Sequence, residues 1–139
     1  MAVLLRILRL ALVYFSLVFA VAFVLGILRV LLLVPRVGAP IAEILELPLI
    51  VLWSWIVARW GVRRFGADLG SAGLALAGGL ALAAVLALEF ALVIGLGGGT
   101  PADWYAGRDP LAFGFYLLAL GLFAVFPVLA RRRGERPVA

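Results

Sequence analysis

The sequence contains no cysteine and no histidine. Without cysteine there is no disulfide, thiolate nucleophile, zinc-thiolate site or iron–sulfur cluster, and no indication of redox compartment. Without histidine the usual haem or copper ligand and the imidazole base are also missing. Lysine is absent too: all twelve basic residues are arginine, a usage that suggests a GC-rich bacterial genome. Charge is scarce, at 14% of the 139 residues, while 67% are hydrophobic. Mean hydropathy is +1.26. An ordinary soluble domain is about 45–50% apolar and about 25% charged. A globule this small would be left with large apolar patches in water, and a disordered chain would carry far fewer apolar residues. Both classes are excluded, which leaves a single integral membrane domain over 1–139.

Long uncharged runs are what the sequence does have. A spanning helix needs about 20 mainly apolar residues to cross a hydrocarbon core roughly 30 Å thick. The run Leu10 to Leu28 is uncharged, and four helices are expected over about 8–34, 40–60, 69–96 and 110–130. The expected fold class is therefore all-α, a four-helix transmembrane bundle. Arg6 and Arg9 followed by Ala20-Val21-Ala22 have the outline of a secretory leader, but the apolar run continues through Leu28, so an uncleaved first span is expected. With the first residue on the cytoplasmic side, nine arginines fall inside (Arg6, Arg9, Arg59, Arg63, Arg64, Arg131, Arg132, Arg133, Arg136) and three outside (Arg29, Arg36, Arg108). That bias places both termini in the cytoplasm of a bacterial inner membrane. It also assigns the net charge of +5 to lipid headgroups, so no nucleic-acid partner is expected.

Local signals set the boundaries. Asp109 before Pro110 reads as an N-cap with proline at the first helical position, and Asp68 is expected to cap the third helix in the same way. Thr100 to Asp103 suggests a short interfacial helix over 101–107 carrying Trp104 and Tyr105. Trp53, Trp55 and Trp60 are expected as interfacial anchors, with Arg59 over Trp55 and Arg64 over Trp60.

Two features bear on function. The third helix repeats small residues every four positions (Ala75, Gly79, Ala83, Ala87, Ala91, Gly95), beside a second row of Gly73, Ala77 and Ala81. Such rows let another backbone approach closely in lipid, within the bundle or across a homo-oligomer. The second feature is charge inside the spans. Glu43 and Glu46 share a face of the second helix, Pro48 follows, and Glu89 lies near the end of the third. Arg29 and Arg36 stand seven apart at the same end of the first helix. An ionised side chain at the bilayer centre costs ~2.5–3.5 kcal/mol, so these five residues are expected to pair. The pairing reads either as a structural network or as a polar site for an ion, lipid or small polar solute. Ser54 and Ser16 alone extend the polar groups further, and the fourth helix is uncharged, which disfavours a continuous polar channel.

No enzymatic motif is present. Gly97-Gly98-Gly99 lacks the lysine of a phosphate loop, and Ser71 has neither a nucleophile elbow nor a histidine. No catalytic residue, cofactor or metal is expected. The leading expectation is a non-enzymatic structural or accessory membrane protein, as a homo-oligomer or within a larger membrane complex, held by the small-residue packing and the Arg/Glu network. The alternative is solute binding or transport at the Arg/Glu site.

Tyr14-Phe15, Gly26, Arg29-Val30, Pro35-Arg36, Ala42-Glu43, Glu46, Pro48, Ala58-Arg59-Trp60, Arg63-Arg64-Phe65, Glu89 and Tyr105-Ala106-Gly107-Arg108-Asp109-Pro110 carry a resemblance. Through them nearly the whole chain resembles an uncharacterised family of small four-helix bacterial inner-membrane proteins. The resemblance implies a multi-pass helical protein and assigns no activity, cofactor or site residue.

Overall fold

A computed structural model describes residues 1–98, 100, 102 and 109–134. Among them every regular element is helical: α1 (Ala2–Leu28), a π-helical turn (Arg29–Leu33), α2 (Val34–Val37), α3 (Ala39–Phe65), α4 (Ser71–Gly97) and α5 (Pro110–Gly134). Four helical runs are long and apolar enough to cross a membrane, the first counted from Ala2 to Val37. The expected interfacial helix over 101–107 lies outside the described residues apart from Ala102. The near end of the bundle holds the start of α1, the α3–α4 turn and the end of α5. The α2–α3 junction and the start of α5 form the far end.

The helices form a square. α1 and α5 occupy opposite corners, and each packs against both α3 and α4. Gly66 to Gly70 carries the chain across the near end from α3 to the opposite corner. Leu69 is buried beneath this turn with Ile7, Leu10, Val62 and Leu74, and closes the bundle there. Asp68 does not cap α4. It pairs with Arg6 at 2.8 Å, and the first turn of α4 is closed by Leu74 N–H donating to the Gly70 carbonyl. The exchange is a matter of position: α4 starts at Ser71, which leaves Asp68 in an exposed turn beside the start of α1. Asp109 behaves as expected, its Oδ2 accepting from Ala112 N–H at 3.0 Å.

The middle of the bundle is held by a proline. Pro127 lies inside α5 and cannot donate to the Phe123 carbonyl one turn back. Tyr14 supplies the missing donor, its hydroxyl reaching that oxygen at 2.5 Å across the square. The Tyr14 ring stacks on Phe123 with centroids 4.4 Å apart, so one side chain both satisfies the carbonyl and fills the core. Trp53 donates its indole N–H to the Leu17 carbonyl at 3.0 Å, and Trp55 stands edge-on to Phe126. Both tryptophans therefore contribute to packing in the bundle, and Arg59 lies 6.0 Å from the Trp55 ring. Arg64 sits over Phe65 instead of Trp60.

The small-residue rows of α4 face opposite ways. Ala77 and Ala81 are buried, whereas Ala75, Gly79, Ala83, Ala87, Ala91 and Gly95 all face outward. The closest approach inside the bundle is at Gly78, where a Cβ would overlap the Ala124 carbonyl oxygen of α5.

Candidate functional site

The far half of the bundle is built differently from the near half. The two packed clusters of buried apolar side chains run from Ile7 to Val18 along α1, and α1 buries nothing beyond Val18. Past that point the helices border a partly open cavity of about 780 Å³, lined from α1, the π turn, α3, α4 and α5.

A π turn follows α1 at the cavity wall. Pro35 has no N–H to offer the preceding turn, and its ring crowds that turn's carbonyl. The ladder widens, Val34 N–H donating to the Arg29 carbonyl five residues back, before α2 resumes and ends at Gly38. Gly38 has φ +85°, a conformation that side chains rarely adopt, and this turns the chain into α3. π turns of this kind are frequent at functional sites because they re-aim side chains. Arg29 itself still follows the regular ladder of α1, its N–H donating to the Leu25 carbonyl, and its Nε lies 2.5 Å from Glu46 Oε2 of α3. Glu46 is 8% exposed, the most buried charged residue of the core. It stands eight residues into α3, beyond the first turn where the helix dipole acts most strongly, so Arg29 is its main compensation.

Of the five charged residues expected to converge, four line the cavity: Arg29, Glu43, Glu46 and Glu89. Arg36 does not. It is exposed and donates to the Leu32 carbonyl at 2.7 Å. The reason is the π turn between the two arginines. One extra residue in a turn rotates the rest of the helix by roughly 100°, and this takes Arg36 off the face that a regular helix would share with Arg29. Ser54 lines the cavity and donates to the Ile50 carbonyl at 2.7 Å. Ser16 faces outward.

Tyr116 is the polar residue that the sequence did not reveal. It comes from α5, lines the cavity and donates its hydroxyl to the Glu89 carboxylate. This hydrogen bond fixes where the Glu89 carboxyl group sits. α5 is apolar on every side, and such a helix gives no periodic cue to its inward face.

The chamber therefore combines apolar walls with an ion pair, two further carboxylates, a phenol and a hydroxyl. Among the described residues no three acidic side chains come together closely enough to hold a metal ion. The arrangement suits a solute with an apolar body and a polar head. No known protein family, curated protein or solved structure matches the chain. What the molecule defines by itself is an all-helical protein with four helices able to span a membrane and a partly polar cavity among them.

Proposed function

We propose that the protein is a multi-pass membrane protein that binds a small amphipathic solute in the far-half cavity. The observation that carries this reading is the cavity itself. About 780 Å³ is left open, lined by Arg29, Glu43, Glu46 and Glu89, beside the two clusters of buried apolar side chains. A purely structural ion-pair network needs no such space, because apolar side chains would fill it at a gain in stability. The test is native mass spectrometry of protein extracted gently from its own membrane, compared with Ala119→Trp, which puts an indole into the cavity wall. A small solute should accompany the wild type and be lost from the variant. Equal solute content in both refutes the reading.

The proposed setting is a bacterial inner membrane with both ends of the chain in the cytoplasm, which opens the far half toward the outside. Support comes from the near end, where Arg6, Arg9, Arg59, Arg63, Arg64 and Arg131 gather. The native chain lacks cysteine, so single substitutions report topology cleanly. In intact cells a membrane-impermeant maleimide should label Ala39→Cys and spare Ala67→Cys. The reverse pattern inverts the orientation.

One specific observation favours a second reading, a structural homo-oligomer. The row Ala75, Gly79, Ala83, Ala87, Ala91 and Gly95 faces away from its own bundle, where a second copy could pack closely. Changing Ala83 and Ala87 to leucine should then abolish a crosslinked dimer. An undiminished dimer rules the row out.

A further inference from the structure

Resting on the cavity reading, we infer that the solute is an uncharged lipophile with a carbonyl head, as in a ketone, ester or amide, which the Arg29 guanidinium holds. Hydrogen-bond donors on the cavity wall are the first argument. The Tyr116 hydroxyl is spent on Glu89, and the Ser54 hydroxyl on the Ile50 carbonyl. Arg29 comes closest to Glu46 through Nε, which is buried and has no well-aligned acceptor even there. Neither terminal nitrogen of Arg29 donates to another described residue. Nη2 lies 4.0 Å from where a Cβ on Gly26 would stand, so the fork folds back along α1 over Gly26, which also lines the cavity. The wall thus offers donors without acceptors at Arg29. A carbonyl oxygen carries two in-plane lone pairs and no donor of its own, which matches a planar guanidinium fork.

Charge balance is the second argument, and it makes the head neutral. The positive charge of Arg29 is already matched by Glu46 beside it. A cationic head at the fork would meet the guanidinium, and an anionic head would meet the Glu46 carboxylate. Glu43 and Glu89 are not free either. An uncharged acceptor takes up the remaining donors and leaves the ion pair intact, whereas a charge brought into an apolar chamber needs a partner of its own.

Size and access are the third argument. A cavity of about 780 Å³ falls within the usual ~300–1,000 Å³ of sites for drug-sized ligands, so an apolar body fits behind the head. Phe23, Ile27, Val30 and Leu31 line the cavity and are also exposed on the outside of the bundle. The cavity therefore opens along the far half of α1 through an apolar face. In the proposed membrane setting that opening meets lipid, and a lipophile reaches the site sideways from the bilayer.

The experiment uses four probes that share a two-ring body: benzophenone, diphenylmethane without the carbonyl, the anion diphenylacetate and the cation benzhydrylammonium. Each is equilibrated with the full chain in nanodiscs of zwitterionic lipid, and partition into empty nanodiscs is subtracted. Benzophenone should be retained saturably, roughly tenfold more tightly than each of the others. Its carbonyl stretch in the infrared should move to lower frequency than in empty nanodiscs, as a hydrogen-bonded carbonyl does. Arg29→Leu with Glu46→Leu strands no charge and should hold benzophenone no better than diphenylmethane. If that double variant does not fold, the infrared shift decides on the wild-type chain, and an unshifted carbonyl overturns the inference. Ala119→Trp should abolish retention of every probe. Diphenylmethane or a charged probe binding as tightly as benzophenone, and losing this with Ala119→Trp, overturns the carbonyl inference and leaves the cavity reading standing. No retention of any probe while native mass spectrometry still shows a cavity-dependent solute likewise overturns the carbonyl inference alone. Failure in both experiments removes the cavity reading with it.

Discussion

Gly78→Ala should unfold the bundle far more readily than Gly79→Ala, although both add one methyl group to adjacent glycines of the same helix. At Gly78 the new Cβ would overlap the Ala124 carbonyl oxygen, whereas at Gly79 nothing lies within 4 Å. The obstacle at Gly78 is backbone, not the flexible end of a side chain, so relief requires α4 and α5 to separate. That region of α5 has little freedom to retreat. Tyr14 holds the Phe123 carbonyl from one side, and Trp55 stands against Phe126 from another. Overpacking a filled core costs typically ~1–3 kcal/mol, and a clash with immovable backbone belongs at or above the top of that range. Gly79→Ala removes a helix-destabilising glycine from an open face and should be neutral or gain up to ~1 kcal/mol. Thermal unfolding in one detergent, followed by helical circular dichroism, gives the comparison. Equal midpoints for the two variants would mean that α4 and α5 do not cross at Gly78.

The same two glycines show how far the sequence could be read. Four helices able to span a membrane were legible because a span needs about 20 apolar residues, and a helix satisfies its own backbone polar groups. The cap at Asp109 was legible because a carboxylate before Pro110 has a specific job at a helix start. Which side of α4 faces inward was not legible. Small residues recur on two faces, and the row with the longer repeat turned out to face away from the bundle. Hydrophobicity cannot orient a helix that is apolar all round, so shape decides, and shape emerges only when α5 is in place. Tyr116 escaped notice for the same reason. Arg29 and Glu46 were recognisable because charge within a span demands a partner. Arg36 was misplaced because counting residues assumes a regular helix, and Pro35 widens the turn between the arginines.

Breaking the Arg29–Glu46 pair from either side should be costly, and removing both charges together should not. Glu46 is 8% exposed and lies 2.5 Å from the Arg29 Nε. Glu46→Gln leaves a guanidinium without its carboxylate, and Arg29→Gln leaves a buried carboxylate without its cation. Removing one partner of a buried pair costs ~3–5 kcal/mol in soluble proteins. The Arg29 side chain is 29% exposed at the edge of the cavity, which lowers the expected loss to about 2–3 kcal/mol. The double variant carries two amides that can hydrogen-bond to each other, so it should lie closer to wild type than either single variant. Additive losses would show that the two charges act independently. The cycle also separates support from binding within one cavity. Glu46 faces its own arginine, so its loss should register first in stability. Glu89 is held by the Tyr116 hydroxyl, and a glutamine there keeps an acceptor for that bond. Glu89→Gln should therefore melt within a few degrees of wild type and differ mainly in what it binds. If Glu89→Gln is instead as unstable as Glu46→Gln, the far-half carboxylates form one structural network and the cavity is incidental to it.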